Sequence, residues 1–302
     1  MPGTYFGPYD EQFSDYANGG NVNLGRWPLG HTLILPDGRE YKFTLNDGTV
    51  EIAGRLYQSV APVAGHTNIA ADVVRAIAAV AISATLNGTA PAADIYAEGL
   101  VHTNDEVGEG YSYRIRRAMT AGAAHASAAS AGVLTVNLHA GENVQVALTT
   151  ASEMSFTRNR HHQVTLHVSP PTAGLAGVSP GVAALDRFYW SQVKGYAAVL
   201  ASGTLLAGLP VMAGITTDGA VESTKRRLQA VSTGSVLTAS TQFAANIVDQ
   251  DGTTTGLAVV TSVSTATLID ASGGIANNAP TVGICIKANA STEHALIDLD
   301  IK

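Results

Sequence analysis

The chain has 302 residues, enough for one large domain or two ordinary ones, each with its own core. Hydrophobic residues make up 46% but charged residues only 14%, against about a quarter in ordinary domains, and 31 glycines amid abundant Ala, Ser and Thr suit a turn-dense β protein. Seventeen Lys and Arg against 24 Asp and Glu leave a net charge of −7, which excludes a broad basic face for nucleic acid, and no apolar run of about 18 residues is present to cross a membrane.

The first residues, Met1 to Pro8, have neither the basic nor the apolar stretch of a secretory leader, so a soluble chain made in the cytoplasm is expected. Residues 1–28 carry Tyr5, Phe6, Tyr9 and Phe13 without a period. They read as an extended N-terminal arm, either loose or docked on a neighbouring subunit.

Regular structure is predicted from residue 29. Leu33 to Leu35 lead into Pro36-Asp37-Gly38, Tyr41, Phe43 and Leu45 alternate with polar residues, and Asn46-Asp47-Gly48 follows. That pattern is strand, turn, strand, turn, and the alternation of Val50 with Ile52 extends it into a meander. Residues 69–86 fit a short helix or loop followed by a strand. Further strands are predicted at 95–101, 111–117, 133–138, 144–149 and 163–168. Their spacing, without regular helices between them, points to an antiparallel sandwich or barrel.

Ser169-Pro170-Pro171 through Ser179-Pro180-Gly181 is the densest Pro/Gly/Ser stretch and reads as a linker. After it, Phe188-Tyr189-Trp190 opens a second series of short apolar runs, at 197–200, 208–212, 228–231, 258–263, 282–287 and 295–301. The expected fold class is therefore mainly β. It comprises the arm (1–28), a β-sandwich-like domain (29–170), a Pro/Gly linker (171–185) and a small β-barrel or β-tulip-like domain (186–302).

No residue stands out as catalytic, cofactor-binding or metal-ligating. Gly177-Val178-Ser179-Pro180-Gly181 has the spacing of a nucleophile elbow, but Pro180 lacks the N–H an oxyanion hole needs after the serine. Only an Asp and a His converging on Ser179 would revive a hydrolase. Among the nine histidines, Arg160-His161-His162 and His167 form the densest group. On a strand His161 and His167 would stand about 20 Å apart, too far for one ion, so surface strand histidines are expected.

Asp249-Gln250-Asp251-Gly252 resembles the start of a calcium loop, but its twelfth position is Val260 where Glu is required, so a turn is expected. Lys225-Arg226-Arg227, with Arg114, Arg116 and Arg117, reads as a solvated face or a contact for an acidic partner. The lone Cys285 lies in an apolar run, where a buried, inert thiol is expected. Walker A and dinucleotide-binding fingerprints are absent from the sequence.

Several short patterns resemble structural proteins of tailed-bacteriophage virions, in particular long capsid decoration, or cement, proteins. They include Leu29-Gly30-His31-Thr32, Pro36-Asp37-Gly38-Arg39 with Tyr41 and Phe43, Ala53-Gly54-Arg55-Leu56, and Gly108-Glu109-Gly110-Tyr111. Toward the C-terminus they include Phe188-Tyr189-Trp190-Ser191-Gln192, Gly219-Ala220-Val221, Gly283-Ile284-Cys285 and Ala295-Leu296-Ile297-Asp298-Leu299.

The resemblance implies a non-enzymatic, cofactor-free homotrimer bound to the major capsid protein on the outer surface of the virion. It also implies that the protein stabilises the phage head, with no direct nucleic-acid or membrane contact. The alternative is a tail-fibre or spike-type host-binding adhesin, against which no repeated shaft motif is found. A major capsid protein is disfavoured because no long charged amphipathic helix is predicted.

Overall fold

A computed structural model describes residues 4–14, 16–17, 27–88, 91, 94–116, 132–224, 243–248, 254–260 and 280–301. Among these the chain is strand and turn, with two short 3-10 helices at Tyr9–Phe13 and Ala64–His66. The first strands are β1 (Thr4–Phe6), β2 (Tyr16–Ala17), β3 (Thr32–Ile34), β4 (Glu40–Leu45) and β5 (Leu56–Gln58). Next come β6 (Ile69–Ala70), β7 (Ala81–Thr85), β8 (Leu100–Asp105), β9 (Ser112–Arg114), β10 (Val133–Asn137) and β11 (Glu153–Thr157). Then follow β12 (Thr165–Leu166), β13 (Leu175–Val178), β14 (Arg187–Leu200), β15 (Pro210–Ala213) and β16 (Val221–Ser223). The last are β17 (Phe243–Val248), β18 (Thr254–Val260), β19 (Thr281–Lys287) and β20 (His294–Asp300).

The protein is mainly β. Its principal sheet runs β1-β3-β4-β14-β20-β19-β15-β16, with β2 and β13 also on β14, and β12 and β13 on β5. β14, 14 residues long, organises this sheet. Its first half lies against β4, with Trp190 opposite Phe43, and its second half lies against β20, with Ala197 opposite Ile297. The register shifts between Gln192 and Lys194, next to Gly195 at φ +83, where the strand passes from one partner to the other.

Strand alternation sends successive side chains of β14 to opposite faces. Phe188 and Trp190 therefore join Leu33, Tyr41, Phe43 and Leu45 in one core. Tyr189, between them, joins Tyr57, Val164 and Ala176 in another. A third core gathers Leu56, Leu175 and Val178 with Val199, Val211, Cys285, Ile297 and Leu299.

Residues 59–163 form an insertion between the paired strands β5 and β12. Its two sheets, β6-β11-β8-β9 and β7-β10, share a core of their own that includes Ile82, Val101, Tyr113, Val136, Met154 and Phe156.

This arrangement corrects the expected division of the chain. Residues 171–185 are not a spacer: β13 lies within them, all four of its residues are buried, and it pairs with β5 and β14. Pairing of β4 with β14 carries one sheet across the expected boundary, so 29–170 and 186–302 share a core. The independent core belongs to the insertion. No sheet among the described residues closes into a barrel.

The arm also differs from its expectation. β1 pairs in parallel with β3 and β2 pairs with β14 of the same chain, while Tyr5, Tyr16 and Trp27 pack on the Phe43–Trp190 core. Gln12, buried, accepts from Tyr41 Oη at 2.6 Å and Arg39 Nη1 at 2.8 Å, and donates to the Tyr9 carbonyl at 2.8 Å. Phe6, Tyr9 and Phe13 remain exposed.

The hairpin over 32–45 forms as predicted, closed at Pro36-Asp37-Gly38 by Gly38 N–H donating to Leu35 O at 2.9 Å. Val50 and Ile52 instead occupy a loop with their side chains half exposed. Residues 144–149 make only an isolated bridge, between Leu148 and Arg75.

Candidate functional site

The residues singled out from sequence do not converge on a reaction centre. Ser179 is buried, and its hydroxyl donates to the Gly181 carbonyl at 2.7 Å, which uses its proton to close the turn at Pro180. Cys285 is buried in the β19–β20 core, and burial pushes its thiol pKa up, away from a reactive thiolate. The acidic turn at 249–252, the basic triplet at 225–227 and Arg117 lie outside the described residues.

The histidines correct their expectation. His161, His162 and His167 are buried, not on a strand surface, and burial holds the first two down to about 3 and about 4. Thr44 Oγ1 donates to the Lys42 carbonyl at 2.9 Å, which leaves it to accept from His161 Nδ1 at 3.3 Å. Neither ring nitrogen of His167 has a hydrogen-bond partner. Among the described residues no group of three His, Cys, Asp or Glu side chains could hold a metal ion.

The features that stand out are apolar surfaces on well-held loops. In the insertion, Val74, Ile77 and Val80 are 64%, 64% and 65% exposed, and Val73 is also exposed. Four large aliphatic side chains facing water within eight residues would be unfavourable in a loop without a partner.

The loop backbone is nevertheless fixed. Arg75 and Leu148 exchange backbone hydrogen bonds at 3.0 and 2.8 Å, and Ala78 N–H donates to Val144 O at 2.8 Å. Arg75 and Asp72 both bond to the Ser83 hydroxyl. Such a surface is preorganised, so docking on it orders little additional chain.

A second apolar rim lies at one end of the principal sheet. The loop over 46–55 displays Val50 and Ile52, and the turn after β13 displays Val182 and Leu185. These loops are laced by Glu51 N–H to Ala183 O at 2.9 Å and Asn46 Nδ2 to Ala184 O at 2.5 Å, and Phe13 of the arm borders Gly181.

Under this rim Glu51 is fully buried. Neither carboxyl oxygen has a partner within hydrogen-bond geometry, and the Tyr57 hydroxyl, which interacts with it, accepts from the Ile52 N–H at 2.7 Å. Burial raises the Glu51 pKa to about 8, Tyr57 offsets part of that rise, and the Asp47 charge adds to it. Burial likewise pushes Tyr57 and Tyr189 well above the ordinary phenol value.

These rims depend on which loop residues face outward, and the spacing of apolar residues over 69–86, which fits a short helix or loop and then a strand, does not show that Val73, Val74, Ile77 and Val80 face water. Comparison with family models, with curated proteins and with solved structures gives no match for this chain.

Proposed function

We propose that this chain is a structural protein of a virion, a capsid decoration protein that binds the outer surface of the major capsid protein shell and stabilises the head. The observation that carries this reading is the pair of fixed loops presenting Val73, Val74, Ile77 and Val80, and Val50, Ile52, Val182 and Leu185, to solvent. A decoration protein acts by adding buried interface between neighbouring shell subunits, and interfaces of standard size bury on the order of 1,600 Å². Repetition by shell symmetry multiplies a modest contact into large collective stability.

A homotrimer suits this role, because a copy contacting three shell subunits gains avidity at each site. The small-residue composition supports the reading too, since Ala, Gly and Thr faces allow close approach between copies. The test is co-sedimentation of the purified chain with shells of major capsid protein assembled without it. Saturable binding that raises the shell's melting temperature supports decoration; a chain that stays in the supernatant refutes it.

A further inference from the structure

Beside the insertion a groove of about 580 Å³ lies outside both apolar rims, within the size range of small-molecule sites. Its walls include Val60, Pro62, Tyr96, Phe156 and Leu175, and Arg158 and Arg160 enter it from the segment that follows β11.

The two arginines are unusual for their surroundings. Arg158 Nε is buried and has no hydrogen-bond partner, and its Nη1 makes only a long 3.4 Å contact to Gln163 Oε1. Arg160 Nε donates to the Leu175 carbonyl at 2.5 Å, which anchors its stem and leaves the rest of the fork uncommitted. Among the described residues, no carboxylate lies within 4 Å of either guanidinium, whereas Arg39 in the turn before β4 and Lys194 in β14 both have one. Half-buried cations without anions are costly, and burial pushes both arginine pKa values down. A protein with net charge −7 has ample carboxylates to pair them, yet holds them apart at an apolar groove.

A guanidinium presents a planar fork of N–H donors that matches a carboxylate with two parallel hydrogen bonds. The walls supply apolar cover for whatever carries that carboxylate. We propose that this groove is a binding site for a carboxylate on an apolar body, held by Arg158 and Arg160. The carboxylate can come from a free organic acid or from an acidic side chain of a polypeptide, and the probes below separate these. The site is independent of the shell-binding surfaces, so its failure would leave the decoration reading intact.

The test is calorimetric titration of the full chain with 4-phenylbutyrate and with the capped tripeptide N-acetyl-Leu-Glu-Leu-amide, each beside its neutral counterpart, 4-phenylbutyramide or the Gln tripeptide. At least one acid should bind with a Kd at or below about 1 mM, its neutral counterpart at least roughly tenfold more weakly. Binding of 4-phenylbutyrate alone identifies a free acid as the ligand type, and binding of the peptide alone identifies a polypeptide.

Arg158→Gln should abolish acid binding, while Arg160→Lys, which keeps the charge but loses the fork, should weaken it. Because the neutral probes are compared on the native chain, a variant that misfolds does not remove the test. Equal binding of acid and neutral probe, acid binding unchanged in a folded Arg158→Gln chain, or no binding of either acid would overturn the proposal.

Discussion

Trp190 Nε1 donates to Glu11 Oε1 at 3.3 Å, joining the N-terminal arm to the first half of β14 across 179 positions of sequence. The Tyr16 hydroxyl donates to the same oxygen, so one carboxylate satisfies two aromatic donors at the edge of the Phe43–Trp190 core. Glu11→Ala leaves the buried indole N–H without an acceptor. It should destabilise the protein by about 1–3 kcal/mol, read as a lower denaturant midpoint. It should also speed proteolysis within the arm. An unchanged midpoint would show that the arm does not brace the sheet.

Gly177 tests whether residues 171–185 are part of the sheet. It sits in β13 at φ +137, and a Cβ there would collide with Ser191 Oγ and come within 2.7 Å of the Gln192 carbonyl oxygen. Gly177→Ala should cost about 2–4 kcal/mol from backbone strain and overpacking together. A flexible linker would tolerate the change, so chemical denaturation separates the two.

Stability should depend on pH in both directions. His161 and His162 are held near 3 and 4 from an ordinary 6.5, so the folded state binds fewer protons than the unfolded one, and stability falls as pH drops below 6.5. Glu51 is raised from 4.5 to about 8, so the folded state keeps a proton the unfolded chain has lost, and stability falls as pH rises through that window. Between 4.5 and 6.5 two histidines oppose one carboxyl, which places the optimum from these groups near 6.5. Glu51→Gln should remove the alkaline decline, a difference on the order of a few kcal/mol at pH 9. Thermal unfolding across pH checks this, and a variant that keeps the decline would contradict the assignment.

Val74→Ser and Ile77→Ser should leave stability within about 0.5 kcal/mol, because both side chains already face water. The paired substitution should nevertheless reduce binding to the shell by tenfold or more. Parallel melting and shell-binding curves check both halves. Unimpaired binding would remove this loop from the interface.

The hairpin over 32–45 was legible because Pro36-Asp37-Gly38 sits between alternating strands, and such turn chemistry is local. The alternation of Val50 with Ile52 misled because loop side chains can alternate without pairing. Pro and Gly around Leu175 to Val178 signalled turns correctly but concealed the short strand between them.

The buried histidines and the unpaired arginines were illegible for one reason. Their surroundings are built from distant segments, as when Thr44 meets His161 across 117 positions. The pairing of β4 with β14, which joins the expected domains, is equally non-local.

The most direct test of the decoration reading is the ratio of this chain to the major capsid protein in purified virions, by quantitative mass spectrometry. The expected result is a copy number in the hundreds, approaching one per shell subunit or a fixed fraction set by the shell's symmetry. A handful of copies per particle would move the protein to the tail or a unique vertex, and absence from particles would contradict a virion role altogether.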